Sequence, residues 1–301
     1  MPVYRGRTTL PDLIHRLGEV LRTLGITFEL ILVDDGCPED SWSKILECSE
    51  TMPELRGIKL SRNFGQHYAI TAGLDHSQGE WVVVMDCDLQ DQPEEIPRLY
   101  QEAKKGFDVV LARRVERKDS FFRKLSSKLF YRSLSYLTGS EQDESIGNFG
   151  IYHHRVIQEV IGMRESIRYF PTMVKWVGFR QSTLAVAHQE PDSERKTSYN
   201  SKKLFNLALD IMLAYSDKPI RLTVKLGVIL ALTGFGFALF TLLRYWQGEI
   251  IVAGYASLII SIWVLSGILL ITLGVVGLYL GKTFEGVKNR PIYIIDKKTH
   301  S

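Results

Sequence analysis

Up to residue 115, hydrophobic and polar positions alternate between a helical period and short apolar runs. A helix-period pattern begins at Thr9-x-x-Asp12 and places apolar side chains on one face, namely Leu13, Leu17, Val20, Leu21 and Leu24. Strands are predicted at Phe28–Val33, Gly57–Leu60, Trp81–Met85 and Asp108–Ala112, with a helix through Ala69–Leu74. This alternation predicts an α/β fold with a mostly parallel sheet, in which ligands bind at the carboxyl ends of the strands.

The first residues, Met1 to Tyr4, look like the end of a strand whose body is absent. A sheet that begins in this way would lack one interior strand, which is consistent with a truncated or misassigned start. The alternative interpretation is that the sheet begins at Phe28.

Two long uncharged segments, Leu226–Leu243 and Ile250–Gly281, follow the α/β region. Each is long enough to cross a bilayer as a helix. A soluble helical hairpin is the alternative, but neither segment has the polar stripe that such a hairpin would need. The polar turn Arg244–Glu249 is short, so both ends of the hairpin are expected on one side of the membrane.

Basic residues flank the hairpin on its open side, namely Lys218, Arg221, Lys225, Lys282, Lys288, Arg290, Lys297 and Lys298. The positive-inside tendency then predicts a multi-pass membrane protein with the large domain and both termini in the cytoplasm. The predicted organisation is a large cytoplasmic domain (1–200), a juxtamembrane amphipathic helix (201–221), two spans (222–281) and a C-terminal tail (282–301). Residues 116–137 form a second basic amphipathic helix, and contact with the membrane surface is favoured over ordinary docking.

Composition changes this picture little. The 301 residues carry a net charge of +3 and 45% hydrophobic residues, which suits one large domain or two smaller ones. The three cysteines have no metal-type spacing and fit a reducing compartment. No cleavable signal peptide is predicted, and no nucleic-acid partner is expected.

The strongest chemical pattern is the strand Trp81–Met85 followed by Asp86, Asp88 and Asp91. On an extended backbone, Asp86 and Asp88 point the same way, because side chains alternate faces. Two such carboxylates repel each other unless a cation lies between them. Mg²⁺ or Mn²⁺ carrying a diphosphate is the natural candidate, and a helix cap or surface turn is the alternative.

Several motifs occur together and in order: Pro2–Tyr4, Val33–Gly36, Ser61–Gly65, Asp86–Asp91, Ala112-Arg113 and Ala214–Pro219 before two apolar segments. Over essentially the whole chain, this set resembles the inverting GT-A glycosyltransferases that act on polyisoprenyl phosphates, akin to dolichyl-phosphate mannose synthase and undecaprenyl-phosphate glucosyltransferases. The resemblance implies a nucleotide-sugar donor, with UDP as the default nucleotide, a polyprenyl-phosphate acceptor and a Mg²⁺ or Mn²⁺ cofactor.

The resemblance also implies residue roles. Nucleotide-sugar binding is assigned to Pro2, Tyr4, Asp34, Asp35, Asp86 and Gln90. Metal binding is assigned to Asp86, Asp88 and Gln90. Lipid-phosphate binding is assigned to Arg113, Arg117, Arg123, Arg195 and Lys196, and the catalytic group comprises Asp88, Asp91 and Arg113. Asp91 is expected to touch the sugar or orient the acceptor, and capping the helix Pro93–Tyr100 is the alternative.

A lipid phosphate is already an anion, so its attack needs no strong general base, and one direct displacement inverts the anomeric carbon. The chain departs from the family at several positions: Arg5 replaces Asn, Gln92 replaces Pro, Asn148 replaces Asp, and Arg195–Tyr199 is altered. Two alternatives therefore stay open, transfer to a sugar hydroxyl of a lipid-linked glycan and a non-catalytic scaffold. Glycines of the second span permit a homo-oligomer, namely Gly267, Gly274, Gly277 and Gly281.

Overall fold

The computed structural model describes residues 1–114, 146–165, 168–186, 218–247 and 254–299. The chain divides into two compact units, the first built from 1–132, 140–199 and 290–301 and the second from 133–139 and 200–289. The two predicted amphipathic helices, 116–137 and most of 201–221, lie outside the described residues.

The elements are listed here in chain order. The first half contains β1 (Pro2–Val3), α1 (Leu10–Thr23), β2 (Leu30–Asp34), α2 (Ser41–Thr51), β3 (Leu55–Leu60), α3 (Gln66–Asp75), β4 (Trp81–Val84), a 3₁₀ turn (Pro93–Glu95), α4 (Ile96–Ala103) and β5 (Val109–Arg114). The second half contains β6 (Ile146–His153), α5 (His154–Gly162), α6 (Phe170–Val177), β7 (Gln181–Val186), α7 (Lys218–Trp246), α8 (Tyr255–Val287) and β8 (Ile295–Lys298).

The strands of the described residues form two four-stranded sheets, in the orders β1-β2-β3-β8 and β4-β6-β5-β7. Strands β1, β2 and β3 are mutually parallel, as are β5 and β7, whereas β8 and β6 run antiparallel to their neighbours. The α/β fold class is confirmed, and the sheets are mixed. The antiparallel strands come from segments for which the sequence pattern predicted no strand.

Helix α1 shows how the apolar pattern becomes a core. Its residues Leu10, Leu13 and Leu17 are buried in one cluster with side chains of both sheets. Thr9 precedes the helix as predicted, but its hydroxyl donates to the carbonyls of Gly6 and Cys87 instead of capping the helix. The threonine therefore ties the start of α1 to the segment after β4.

The first residues form a short strand, β1. Pro2 pairs with Val33 and Val3 with Asp34 in the parallel ladder between β1 and β2. The alternative in which the sheet begins at Phe28 is wrong, and β2 itself begins at Leu30.

The C-terminal segment adds a strand that the sequence pattern did not predict. Strand β8 pairs antiparallel with β3, and Thr299 beyond it exchanges two hydrogen bonds with Gly57, one of them from the Gly57 N–H to the Thr299 hydroxyl at 2.6 Å. Tyr293 donates its hydroxyl to Asp75 at 2.7 Å, and Arg164 pairs with the same carboxylate. The residues after α8 are thus part of the first unit.

We expect Thr299→Val to lower the free energy of unfolding by about 1–3 kcal/mol, because the buried N–H of Gly57 loses its acceptor. The matched control is Thr299→Ser, which keeps the hydroxyl and should stay close to wild type. Thermal unfolding of the detergent-solubilised protein measures both. Equal stability of the valine and serine variants would contradict the prediction.

The second unit contains α7 and α8, which are rich in exposed apolar side chains. Both helices are long and apolar enough to cross a membrane, with windows at Ile220–Phe237 and Val264–Val287 of mean hydropathy 1.6 and 2.2. The predicted uncharged segments overlap these windows, and residues 248–253 lie outside the described part of the chain.

Candidate active site

The acidic pair Asp34-Asp35 lies at the carboxyl end of β2, and both side chains are almost fully buried, at 1% and 3% exposure. The two oxygens of Asp35 accept hydrogen bonds from the N–H groups of Phe64 (2.8 Å) and Gly65 (2.9 Å). Asp34 accepts one from the N–H of Cys37 at 2.8 Å. Asp35 therefore holds the loop after β3, and Asp34 holds the turn after β2.

Burial raises the pKa of both Asp34 and Asp35, and the backbone N–H donors oppose that shift. Buried carboxylates persist where hydrogen bonds and nearby positive charge compensate the lost hydration. Lys59 on β3 and Arg62 in the following loop supply such charge to Asp34 and Asp35 respectively. Asp34 and Asp35 therefore stabilise the loops of the site and are largely shielded from solvent.

Gly36 makes the close approach of these two turns possible. Its φ is +62°, and a Cβ at this position would lie 2.5 Å from the backbone nitrogen of Asn63 and 2.6 Å from the carbonyl carbon of Arg62. Only glycine combines this left-handed backbone with so little space. The turn after β2 and the loop after β3 therefore touch backbone to backbone.

Gln66, the first residue of α3, joins this framework to the Asp-x-Asp loop. Its side-chain amide donates to Asp86 at 2.7 Å, immediately after the Gly65 N–H that Asp35 binds. The amino end of α3 thus lies between two acidic groups, where the helix dipole favours negative charge. Sequence reasoning assigned no role to Gln66. The one signal in the sequence that could have pointed to Gln66 is its position directly after the Ser61–Gly65 motif.

The Asp-x-Asp loop has one exposed and one half-buried carboxylate. Asp88 is exposed and accepts the N–H of Gln90 at 3.1 Å, while Asp86 is half-buried. Leu89, between Asp88 and Gln90, has a φ of +65°, which is rare for a non-glycine residue. Such backbone strain persists where the surrounding structure holds it, and it is frequent at functional sites.

Asp91 is only 4% exposed, and its Oδ2 lies 3.5 Å from the backbone nitrogen of Asp86. The buried Tyr152 on β6 lies near enough for the Asp91 charge to add to the burial that raises the tyrosine pKa. The side chain of Asp91 therefore lies in the protein interior, near Tyr152. Asn148, also on β6, accepts the Tyr152 hydroxyl through its backbone carbonyl.

The remaining predicted residues are less closely connected. Pro2 is buried within β1, whereas Tyr4 is 44% exposed with the Arg5 guanidinium 5.6 Å from its ring centre. Arg113 is exposed on β5. Four predicted lipid-phosphate residues lie outside the described residues, namely Arg117, Arg123, Arg195 and Lys196.

The donor set suits a metal that a substrate helps to hold. Within the described ranges, no group of three or more His, Cys, Asp or Glu side chains is placed to bind a metal. Mg²⁺ in nucleotide sites is commonly held by one or two carboxylates together with substrate phosphates. Asp86 and Asp88 are the carboxylates that would hold a cation in this way, together with substrate phosphates, and Gln90 would add its amide oxygen.

Two mixed sheets with helices, an acidic framework and an Asp-x-Asp loop at strand ends are the arrangement of an α/β fold of the GT-A type. The sequence model described as glycosyl transferase family 2 matches residues 1–161. The chain belongs to this family and is a glycosyltransferase.

Full-length relatives support the assignment. An uncharacterized glycosyltransferase of Synechocystis sp. is 35% identical over 98% of this chain and 93% of its own length. The undecaprenyl-phosphate 4-deoxy-4-formamido-L-arabinose transferase of Klebsiella pneumoniae (strain 342) is 33% identical over 99% of this chain and 91% of its own length. The resemblance to polyisoprenyl-phosphate glycosyltransferases is thereby confirmed.

Solved structures resemble the chain more distantly. Mannosyl-3-phosphoglycerate synthase from Rubrobacter xylanophilus is 12% identical, with a TM-score of 0.48 over 71% of this chain and 70% of that one. The mannosyltransferase PcManGT from Pyrobaculum calidifontis, in complex with GDP-Man and Mn²⁺, is 14% identical, with a TM-score of 0.43 over 82% and 81%. Both scores lie below 0.5, so the family assignment rests on the sequence matches.

Proposed function

We propose that this glycosyltransferase transfers a sugar from a nucleotide sugar, by default a UDP-sugar, to a polyprenyl phosphate in the membrane. One observation carries the proposal: a relative named as an undecaprenyl-phosphate transferase aligns with 99% of this chain, a span that includes both the acidic site and the two apolar helices. A soluble acceptor would give no reason for such helices.

In this proposal the donor binds across the strand ends of the first unit. Asp34 and Asp35 hold the nucleoside side of the site through the turns that they fix, and Tyr4 offers an exposed ring beside the base. Buried Pro2 then supports the strand that carries Tyr4 more than it contacts the base. Gln66 orients Asp86 toward the ribose and the diphosphate.

Asp88, Asp86 and Gln90 are the residues that would hold Mg²⁺ or Mn²⁺ together with the diphosphate. When bound, the cation neutralises the charge that develops on the leaving nucleoside diphosphate. Asp88 suits the task because it is the exposed carboxylate of the loop, and the strained Leu89 backbone sets its direction relative to Gln90.

The acceptor phosphate is itself the nucleophile, so the protein's task is alignment. Arg113 is proposed to bind that phosphate or the diphosphate, with Arg117, Arg123, Arg195 and Lys196 as further candidates. The burial of Asp91 favours a positioning role beneath Asp86 over direct contact with the sugar. This favours the phosphate acceptor over a sugar hydroxyl, which would need a general base.

The membrane arrangement is part of the same proposal. Helices α7 and α8 span the bilayer as a hairpin, the first unit faces the cytoplasm, and residues 116–137 and 201–216 lie along the membrane surface. Strand β8, which follows α8, belongs to the first unit. The chain therefore leaves the first unit before α7 and returns to it after α8, which supports a hairpin. Glycines on α8 permit association of copies.

The experiment is incubation of the detergent-solubilised protein with undecaprenyl phosphate, Mg²⁺ or Mn²⁺ and a panel of labelled nucleotide sugars. Mass spectrometry of the extracted lipid should show one sugar attached through phosphate, with loss of the nucleoside diphosphate. In a competition with a lipid-linked glycan, label in the glycan alone would overturn the proposed acceptor. Failure of every donor to bind or react would favour the scaffold alternative.

A further inference from the structure

One face of α3 carries three polar side chains spaced four residues apart, namely His67, Thr71 and Asp75. Residues four apart lie one above the other on the same face of a helix. Each of the three is contacted by a residue that follows α5. Tyr169 packs its ring against that of His67, with ring centroids 4.9 Å apart. Arg168 donates to the hydroxyl of Thr71 at 2.7 Å, and Arg164 donates to the carboxylate of Asp75 at 3.0 Å.

Arg168 is the central residue of these contacts, and it is a buried cation, only 3% exposed. Besides its bond to Thr71, it donates to the backbone carbonyls of Val160 (3.1 Å) and Met163 at the carboxyl end of α5. The carboxyl end of a helix carries partial negative charge, which favours a guanidinium there. Each nitrogen of the guanidinium thus has an oxygen acceptor, and the side chain joins α5 to α3.

Thr71 transmits this contact into α3. Its buried hydroxyl accepts the Arg168 Nε–H and donates to the backbone carbonyl of His67, one turn earlier, at 2.8 Å. Burial of the His67 ring, and then the nearby Arg168 charge, lower the pKa of that ring to about 4. The histidine is therefore neutral near pH 7 and adds no second positive charge beside the guanidinium.

The amino end of the same helix holds the acidic groups of the candidate site. Gln66 donates to Asp86 at 2.7 Å, and the N–H of Gly65, just before the helix, donates to Asp35 at 2.9 Å. Thr71 lies about 8 Å further along the axis, at a rise of 1.5 Å per residue. A helix moves as one unit over so short a distance, and a shift of about 1 Å at its amino end is enough to break these hydrogen bonds.

We propose that Arg168 is a positioning residue of the transfer reaction, which holds α3 through Thr71 so that the amino end of the helix keeps Asp86 and Asp35 in place. The proposal rests on the function proposed above, because the loop of Asp86 is where the metal and the diphosphate would bind. Displacement of an aligned group by about 1 Å can lower a rate about a hundredfold, even when the substituted residue lies far from the chemistry. Arg168 itself needs to touch neither metal nor substrate.

Filling the space between α3 and α5 would not by itself require a guanidinium. Apolar side chains fill buried space without the cost of removing a charge from water, and arginine is seldom buried unless it is paired. A guanidinium instead fixes the direction and length of several hydrogen bonds at once. Arg168 therefore sets the distance between the carbonyls of α5 and the Thr71 hydroxyl of α3.

The test compares Thr71→Val, which keeps the branched shape but removes the hydroxyl, with Thr71→Ser, which keeps the hydroxyl. Arg168→Lys is the companion variant, because an ammonium lacks the planar fork that reaches both helices. Thr299→Val is the control for lost stability, since it removes a buried hydrogen bond in which α3 takes no part. The measurements on the full-length protein in detergent are the unfolding midpoint, the amide hydrogen exchange of residues 64–66, and the Mg²⁺ concentration that gives half-maximal transfer.

Thr71→Val and Arg168→Lys should each speed exchange at residues 64–66 about tenfold and raise the half-maximal Mg²⁺ concentration about tenfold, the effect of one lost hydrogen bond. The KM for polyprenyl phosphate should change little. Thr71→Ser should match the wild type, and Thr299→Val should lower the unfolding midpoint without changing exchange at 64–66 or the Mg²⁺ requirement.

Three outcomes would overturn the proposal: wild-type exchange at residues 64–66 in Thr71→Val, an unchanged Mg²⁺ requirement despite faster exchange, or an equal rise in the Mg²⁺ requirement in Thr299→Val. The exchange measurement needs no substrate, so the two proposals can fail separately. If no donor reacts with the wild type, the proposed function fails, whereas wild-type exchange in Thr71→Val overturns the positioning by Arg168 alone.

Discussion

Asp88→Asn should lower the rate of sugar transfer by roughly a thousandfold, because a metal at a leaving diphosphate contributes several kcal/mol to the transition state. The folded structure should be unaffected. Asp88 is exposed, and the oxygen of an asparagine can still accept the N–H of Gln90. Initial rates of labelled-lipid formation at saturating Mg²⁺ measure the effect.

The matched control is Asp296→Asn, which removes an equally exposed carboxylate from β8. It should keep the wild-type rate and the same unfolding midpoint. Removal of divalent ions with a chelator should abolish wild-type activity, and Mg²⁺ or Mn²⁺ should restore it. A wild-type rate in the Asp88 variant would remove the metal from the proposed mechanism.

Gly36→Ala should cost about 3 kcal/mol of stability and weaken nucleotide-sugar binding at the same time. The left-handed backbone contributes about 1–2 kcal/mol of this, and the contact of a Cβ with the backbone of Asn63 supplies the rest. Because Asp35 binds the loop that would be displaced, the substitution disturbs the site as well as the fold. Thermal unfolding and calorimetric titration with nucleotide sugars measure the two effects.

Gly25→Ala provides the comparison, since Gly25 has nearly the same φ, +64°, but nothing within 4 Å of an added Cβ. It should cost only the left-handed backbone term, about 1–2 kcal/mol, and leave nucleotide binding intact. The difference between the two variants isolates the backbone contact between the turns. Equal losses in both variants would show that the contact has no consequence.

The local pattern predicted the first half of the fold well. Apolar runs identified β2, β3, β4 and β5 to within a few residues, because each is buried by helices and its run is continuous. Strand β8 escaped prediction, since Ile295–Lys298 contains one apolar residue and lies at a sheet edge. Its pairing with β3 depends on a contact between segments far apart in the sequence, which no local pattern encodes.

For the candidate site, the positions of the acidic residues could be predicted, but the contacts among them could not. The sequence pattern placed Asp34, Asp35, Asp86 and Asp88 at the carboxyl ends of predicted strands, and their roles followed from the resemblance to the family. The connections among them were not predictable, since Gln66 reaches Asp86 only through the placement of α3 between β3 and β4. The burial of Asp91 likewise depends on the packing of the loop over β6.

The sequence by itself indicated an α/β region with carboxylates after its strands, followed by two segments too apolar for water, and the chemical class followed from the resemblance of its ordered motifs to a family. These properties are local, because they follow from the period and polarity of neighbouring residues. Only the tertiary structure decided which carboxylate is exposed and which ones hold loops together. Exposure and hydrogen-bond partners arise from segments distant in the chain, so they exist only once the chain is folded.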